Sequence, residues 1–304
     1  MGKIIKNHVA PGIFWLEIPE ADLRVLCGCP ADCVKHLMRE KLIRTHQING
    51  VTCETGPNAI LLSDLPIQKG NFANLAEFPV LQMLYRQGML LPGHPNNNGT
   101  KPMLIGREDI VRAQMDYIYR GNYGLTTVEE IMETGISRAL AEEMMRMKLR
   151  FAFGAIHPSE QLLEGKVVGS GKTEVKNGVF VSREDTNRYK FSYQGETTMV
   201  DLTLEPGQHF ATPYELGSHR FDRQYFSVLH TGEGDGWDIY RPCMGSILCF
   251  QGRIYLIDAG PNIDHSLNAM GISSNEIDGI FHTHAHDDHF SGLTTLIRSD
   301  HRIK

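Results

Sequence analysis

Long apolar runs are missing from this sequence of 304 residues, and so is a net positive charge. No stretch approaches the roughly 18 to 20 consecutive apolar residues that a membrane-spanning helix needs, so we expect no membrane partner. The formal net charge at pH 7 is -6, and nucleic-acid binding depends on a basic surface, so we expect no nucleic-acid partner. The opening residues, MGKIIK, carry no apolar signal-peptide core, which predicts a cytoplasmic location.

Cysteine is scarce as well, with six in the whole sequence. Without a secretion signal, this number indicates free thiols rather than a disulfide framework. Cys27, Cys29 and Cys33 surround the start of a predicted helix, where the helix dipole can stabilise a thiolate. Their spacing matches no zinc motif, and Cys53, the best fourth ligand, is far along the chain. We therefore interpret the three cysteines as small residues packed at a strand-helix junction.

Histidine, in contrast, is concentrated near the C-terminal end. Four of the 14 histidines lie in the eight residues 282–289, HTHAHDDH, and imidazole and carboxylate groups are ligands of zinc, iron and manganese. His284 and His286 are two residues apart, so on an extended backbone both side chains leave on the same side and reach one ion. Asp288 and His289 follow at once and point to a neighbouring position. The stretch therefore predicts half of a two-metal site.

This stretch and the residues before it resemble the metallo-β-lactamase-fold hydrolases. The pattern His-x-His-x-Asp-His at 284–289 looks like the signature loop of that family. The upstream features that are similar to the family are predicted strands at 246–250, 254–257 and 277–281, a turn at 251–253, and Asp258-Ala259-Gly260 after the second strand. The resemblance covers about 60 to 80 residues and leaves the N-terminal part of the chain without a counterpart.

The resemblance implies a metal-dependent hydrolase. His284 and His286 would bind the first ion, Asp288 and His289 the second, and Asp258 would orient the ligand loop. The implied cofactors are two divalent ions, with zinc the leading choice and iron or manganese as alternatives. They would lower the pKa of a bridging water that attacks an ester, thioester or phosphoester in a small-molecule substrate. Asp288, which would also handle a proton, is the candidate catalytic residue.

The resemblance also implies the fold, an α/β (α+β) chain that ends with the first half of an αββα sandwich at 221–304. In the family the remaining ligands come from loops further downstream, whereas only 15 residues follow His289 here. The one histidine among them, His301, would lie far along the next helix. We therefore expect the chain to be a fragment, with the remaining ligands beyond Lys304. Upstream ligands in a rearranged site, or a partner chain, are the alternatives.

The rest of the chain predicts a mixed α/β accessory region at 1–160 and a β-rich segment at 161–220. Thr127 and Ser137 have the sequence context of helix caps, and the two helices that they would begin suggest an interdomain or oligomerisation pair, so a homo-oligomer stays open. The run Gly169 to Thr173, GSGKT, lacks the glycine spacing of a phosphate-binding loop, and we interpret it as a hairpin turn. The other predicted elements are helices at 31–42, 78–87 and 107–120 and strands at 178–181, 189–193, 198–204 and 225–230.

Two other classes of function stay open. One is a diiron redox or gas-sensing protein on the same fold, although a histidine at 286 favours the hydrolase, because the related diiron proteins tend to carry glutamate there. The other is a regulatory or binding protein whose metallohydrolase part is not catalytic. His230 and Asp235 are further candidates to face the site, but turn geometry alone explains an aspartate in this glycine-rich stretch.

Overall fold

The structure is a computed structural model that describes residues 2–69, 72–152 and 154–297. Strands and helices are interleaved along the chain, which confirms the predicted α/β (α+β) class. His301 lies outside the described residues. In the three described ranges, no helix is long and apolar enough to cross a membrane.

The N-terminal part is built on a six-stranded sheet. Its strands and the small hairpins beside it are β1 (Ile5–Ala10), β2 (Ile13–Ile18), β3 (Leu23–Cys27), β4 (Thr45–Ile48), β5 (Val51–Glu54), β6 (Ala59–Leu61), β7 (Ile67–Gln68), β8 (Phe72–Ala73), β9 (Met103–Gly106) and β10 (Glu164–Val167). The order across the large sheet is β1-β2-β3-β6-β9-β10. The first three strands are antiparallel, and the pairs from β3 to β10 are parallel. Strands β4 and β5, and β7 and β8, form separate pairs.

Both faces of this sheet are buried. Alternate residues of a strand point to opposite sides of the sheet, so one strand contributes side chains to both buried layers. On β3, Val25 packs into one apolar layer and Leu26 into the other. The layer around Leu26 is covered by α1 (Cys33–Arg39), α2 (Glu77–Leu81), which continues as a π-helix at Gln82–Arg86, and α3 (Glu108–Tyr123). The layer around Val25 is covered by an antiparallel sheet of β11 (Thr173–Lys176), β12 (Val179–Asp185), β13 (Arg188–Tyr193) and β14 (Glu196–Asp201).

The segment GSGKT at 169–173 joins these two sheets. Strand β10 before it pairs with β9, and strand β11 after it pairs with β12, so the predicted hairpin turn is wrong. The glycines of the segment identify a change of direction but carry no information about the sheet that the next strand joins. The predicted strands 178–181, 189–193 and 198–204 are confirmed to within a few residues. The domain boundaries near 160 and 220 stay a prediction.

Three helices lie between α3 and β10 in the chain, namely α4 (Val128–Met132), α5 (Arg138–Phe151) and α6 (Ser159–Leu162). The side-chain oxygens of Thr127 and Ser137 each accept a hydrogen bond from a backbone N–H at the start of α4 and α5, which confirms the predicted caps. One face of α5 leaves Met147 and Phe151 exposed to solvent. A homo-oligomer that uses this face stays a prediction.

The C-terminal part is a four-stranded sheet of β15 (Phe226–Gly232), β16 (Gly245–Phe250), β17 (Arg253–Ile257) and β18 (Ile277–Phe281), with helices α7 (Ile263–Ala269), α8 (Asp287–Phe290) and α9 (Leu293–Ile297). Short 3-10 helices occupy Pro19–Ala21 and Ser274–Glu276. Helices α7 and α9 cover one face of the sheet around Leu256. The opposite face presents Phe226 and Phe250, which are 65% and 41% exposed. The predicted strands are confirmed, and they form one β layer with helices on one side.

Candidate metal centre

The histidine-rich loop begins where β18 ends and lies beside the end of β17. These two strands are parallel neighbours, so the residues that follow them meet at the same edge of the sheet. The backbone N–H of Asp258 donates to the carbonyl of Phe281 at 2.8 Å. In return, the carboxylate of Asp258 accepts the backbone N–H of Thr283 at 2.8 Å and also accepts the Thr283 hydroxyl. Asp258 therefore fixes the start of the loop.

Asp258 also orients two of the candidate ligand histidines. Its Oδ2 lies 2.8 Å from Nδ1 of His289, so the Nδ1 proton is held there and Nε2 is the nitrogen that remains available to a metal. Because the Thr283 hydroxyl gives its only proton to Asp258, it accepts from Nδ1 of His284 at 3.0 Å and leaves Nε2 of that ring available too. Burial acts to raise the pKa of Asp258, but hydrogen bonds from Thr283 and His289 outweigh it and hold the pKa low.

The four candidate ligands lie together. The ring centroids of His284 and His289 are 4.2 Å apart, and those of His284 and His286 are 4.7 Å apart. Nε2 of His289 lies 3.6 Å from Oδ2 of Asp288. Partial burial, followed by the charges of the two neighbouring imidazoles, lowers the pKa of His284, which favours the neutral ring that binds metals.

These donors fit a divalent metal ion, but they form only part of a ligand set. Three imidazoles and a carboxylate are the chemistry that zinc, iron and manganese bind. Oδ1 of Asp288 is buried and has no hydrogen-bond partner, a costly state for a carboxylate that a cation would relieve. Nevertheless, no group of three or more His, Cys, Asp or Glu residues within 2–69, 72–152 and 154–297 is arranged to hold an ion. Asp288 as the catalytic residue, Asp258 as the orienting residue and the four metal ligands stay predictions.

Two carboxyl groups from distant parts of the chain meet directly behind this loop. Glu77, the first residue of α2, is fully buried, and its Oε2 accepts the backbone N–H of Asp287 at 2.8 Å. Tyr117 on α3 donates its hydroxyl to Oδ1 of Asp287. Sequence reasoning missed Glu77 and Tyr117, because neither belongs to a motif and the contact of Glu77 spans 210 residues.

We expect this buried pair to make the metal-free protein less stable as the pH rises. Burial, reinforced by neighbouring carboxylates, raises the pKa of Glu77 to about 7 and that of Asp287 to about 8. Between about pH 4 and pH 8 the folded state thus binds more protons than the unfolded state. The stabilisation is complete below the unfolded pKa values, near 4, and is lost as the pH rises through 7 and 8. Thermal unfolding in EDTA from pH 5 to pH 8 measures it.

Asp287→Asn should flatten this pH dependence, because the amide keeps an oxygen that accepts from Tyr117 but cannot ionise. Asp222, which is exposed and paired with Arg220, offers the control: Asp222→Asn should leave the slope as it is in the unmodified protein. Equal slopes in the Asp287 and Asp222 variants would show that the buried pair does not control the stability in this range.

The remaining candidates from the sequence lie in ordinary structural surroundings. Cys27, Cys29 and Cys33 are free and buried, and burial raises the pKa of Cys29 to about 12, so the interpretation as packed thiols is confirmed. Asp235 accepts the backbone N–H groups of the two residues at 237 and 238, as an aspartate in a turn does. His230 is exposed and lies 3.0 Å from the hydroxyl of Ser246.

Comparison with known proteins finds similarity in the C-terminal part. A protein-family profile described as "Anti-Pycsar protein Apyc1" matches residues 227–301. Ribonuclease Z of Nanoarchaeum equitans (strain Kin4-M) is 35% identical over 72 residues, which are 24% of this chain. The chain spans only 22% of the length of that relative. No solved structure gives a significant match.

These matches support in part the resemblance seen in the sequence. The similar ribonuclease Z is a metallo-β-lactamase-fold enzyme. The family profile spans the four strands of the C-terminal sheet and the histidine-rich loop, which are the elements on which the resemblance rests. The similarity therefore concerns the part of the chain that carries the candidate metal centre.

Proposed function

We propose that this chain carries the histidine-rich half of the active site of a metallo-β-lactamase-fold hydrolase. The observation that carries the proposal is the convergence of His284, His286, His289 and Asp288 on one loop whose orientation is fixed by Asp258. A loop of solvated polar residues would not need one imidazole in contact with two others beside a buried carboxylate oxygen that has no partner.

In this proposal His284 and His286 hold one ion, and Asp288 and His289 hold the other. When bound, two divalent ions, with zinc preferred and iron or manganese as alternatives, supply an activated water at neutral pH and stabilise the charge that develops on the substrate. The protein's own part is to keep the imidazoles neutral, to fix which nitrogen of each ring faces the ion, and to place Asp288 where it can bind the metal and hold a proton.

The remaining ligands would come from a second β layer. The face of the C-terminal sheet that carries Phe226 and Phe250 is apolar and exposed, and an exposed apolar sheet face of this kind is suited to packing against another sheet. A second layer here would turn the observed layers into the αββα sandwich that the resemblance implies. Its loops would reach the same edge as the histidine-rich loop.

Among esters, thioesters and phosphoesters, we favour a phosphodiester. The similar protein from Nanoarchaeum equitans is named as a ribonuclease, and an enzyme of that name cleaves phosphodiester bonds of RNA. The net charge of -6 disfavours long RNA as the substrate, because polyanion binding needs a basic surface. A small phosphodiester therefore fits both the similarity and the charge.

The test compares hydrolysis of three probes by the full natural protein, purified without chelator and analysed for metal. We expect turnover of bis(p-nitrophenyl) phosphate well above that of p-nitrophenyl acetate or a simple thioester. Activity should disappear with EDTA and return with Zn²⁺ or Mn²⁺. Preferred cleavage of the acetate or thioester would refute the phosphodiester assignment. Protein without bound metal would refute the hydrolase, and a regulatory or binding role would then be the better account.

A further inference from the structure

The side chain of Glu77 in the accessory region lies beside the candidate ligand His286. This glutamate is fully buried, and its two oxygens have different surroundings. Oε2 accepts the backbone N–H of Asp287, whereas Oε1 has no hydrogen-bond partner. Oε1 lies 3.8 Å from Nε2 of His286. A buried carboxylate oxygen is costly when unpaired, and the candidate ligand His286 offers the ring N–H that would pair with it.

The other two candidate histidines already have such a partner. Asp258 holds Nδ1 of His289 directly and Nδ1 of His284 through the hydroxyl of Thr283. A histidine that binds a metal through one ring nitrogen commonly donates the other N–H to a carboxylate or carbonyl oxygen, and this contact fixes the tautomer and the ring orientation. The ring of His286 faces a carboxylate of the accessory region, that of Glu77.

Helix α3 lies close to both Glu77 and the ligand loop. The Tyr117 hydroxyl on α3 donates to the side chain of Asp287, the residue between the ligands His286 and Asp288. Helix α3 also approaches Glu77 closely, since a Cβ atom added at Gly121 would lie 2.5 Å from Oε1. The accessory region thus contacts the ligand loop from two helices. Both contacts are made at the residue that lies between a proposed ligand of the first ion and a proposed ligand of the second.

We propose that Glu77 is a positioning residue of the metal centre: it accepts the Nε2 proton of His286 and the backbone N–H of Asp287, and so directs Nδ1 of His286 toward the ion. The inference rests on the proposed function, since it needs a bound metal. The present distance between Nε2 of His286 and Oε1 of Glu77 exceeds a normal N–H···O distance by about 1 Å. A small rotation of the imidazole ring brings the two atoms within hydrogen-bonding distance. The accessory region is then a structural part of the active site.

The test measures metal affinity and ligand geometry rather than activity alone. Glu77→Gln keeps the size of the side chain but has an NH₂ group in place of one of the two carboxylate oxygens. Because the donors of His286 and Asp287 face different oxygens of Glu77, one of them then meets a donor instead of an acceptor. Zn²⁺ affinity is measured in competition with a chromophoric chelator, and the absorption spectrum of the Co²⁺-loaded protein reports the ligand geometry. We expect Zn²⁺ to bind about 10 to 100-fold more weakly, with a changed Co²⁺ spectrum.

Two further variants control for folding. Glu54→Gln alters another buried glutamate, which pairs with Arg86 and does not contact the loop, so its affinity and spectrum should match those of the unmodified protein. Tyr117→Phe removes only the hydroxyl that holds Asp287, and it should weaken Zn²⁺ binding in the same direction as Glu77→Gln while the thermal unfolding stays cooperative.

The possible results distinguish a failure of the positioning role of Glu77 from a failure of the proposed hydrolase function. If the unmodified protein and the Glu54 variant bind metal, and the Glu77 variant matches them in affinity and Co²⁺ spectrum, Glu77 has no positioning role and the hydrolase proposal stands. If the unmodified protein binds no metal, both proposals fail together. Weaker binding in Glu77→Gln with an unchanged Co²⁺ spectrum would also contradict the proposal, because the ring orientation would then be independent of Glu77.

Discussion

Replacing His284 and His286 together with alanine should remove the bound metal and lower phosphodiester hydrolysis by about 1,000-fold or more. Metal ions contribute several kcal/mol of transition-state stabilisation, and each 1.4 kcal/mol is about a tenfold change in rate. The rings of these two residues contact each other, so removing both leaves the first proposed ion without a donor from this loop. The second ion would keep only Asp288 and His289, too few ligands for tight binding.

The comparison should be made on the full natural protein, with metal content by elemental analysis and initial rates measured on the same samples. The double variant His8→Ala plus His209→Ala removes two exposed histidines from the accessory region and the β-rich segment, and it should keep both metal and activity. Full metal content in the His284 and His286 double variant would mean that the ion lies elsewhere. Retained activity without metal would show that the reaction does not depend on it.

Much of the fold follows from patterns that are local in the sequence. The hairpin between β16 and β17 is an example: its strands carry a continuous apolar pattern, and Gln251 and Gly252 both adopt the positive φ angles of a tight two-residue turn. Thr127 and Ser137 mark helix starts because a cap depends on an N–H only three residues away. The histidine loop was accessible for the same reason, since its four candidate ligands lie within six residues.

What could not be predicted depends on contacts between distant segments. Glu77 contacts the ligand loop through a backbone N–H of Asp287. Because every residue except proline has this group, the residue pattern does not predict such a contact. The sequence pattern also does not predict which sheet a strand joins. Strand β10 pairs in parallel with β9 across a long connection, whereas β11 begins another sheet. Sequence patterns therefore predicted the candidate ligands, but not the contacts that the accessory region makes with their loop.

Gly260→Ala should destabilise the protein and displace the ligand loop. A Cβ atom at Gly260 would lie 2.3 Å from the backbone oxygen of Asp288, and one at Gly292 would lie 2.2 Å from the oxygen of Gly260. Neither glycine has a positive φ angle, so the requirement is close approach of two backbones rather than an unusual conformation. This explains why a glycine stands two residues after Asp258, just beyond the end of β17, and why a glycine follows the histidine motif.

The size of the effect of Gly260→Ala depends on which part of the protein has to move to make room for the new methyl group. The obstructing atom is a backbone oxygen between the candidate ligands Asp288 and His289, so the loop must shift by about 1 Å, a displacement that can cost about 100-fold in function. Overpacking of this kind also costs about 3 kcal/mol of stability. Gly217→Ala is the matched control, since a Cβ there meets nothing within 4 Å. Thermal unfolding and Zn²⁺ affinity test both consequences, and wild-type values for Gly260→Ala would show that the strand end and the ligand loop are not packed as tightly as this account requires.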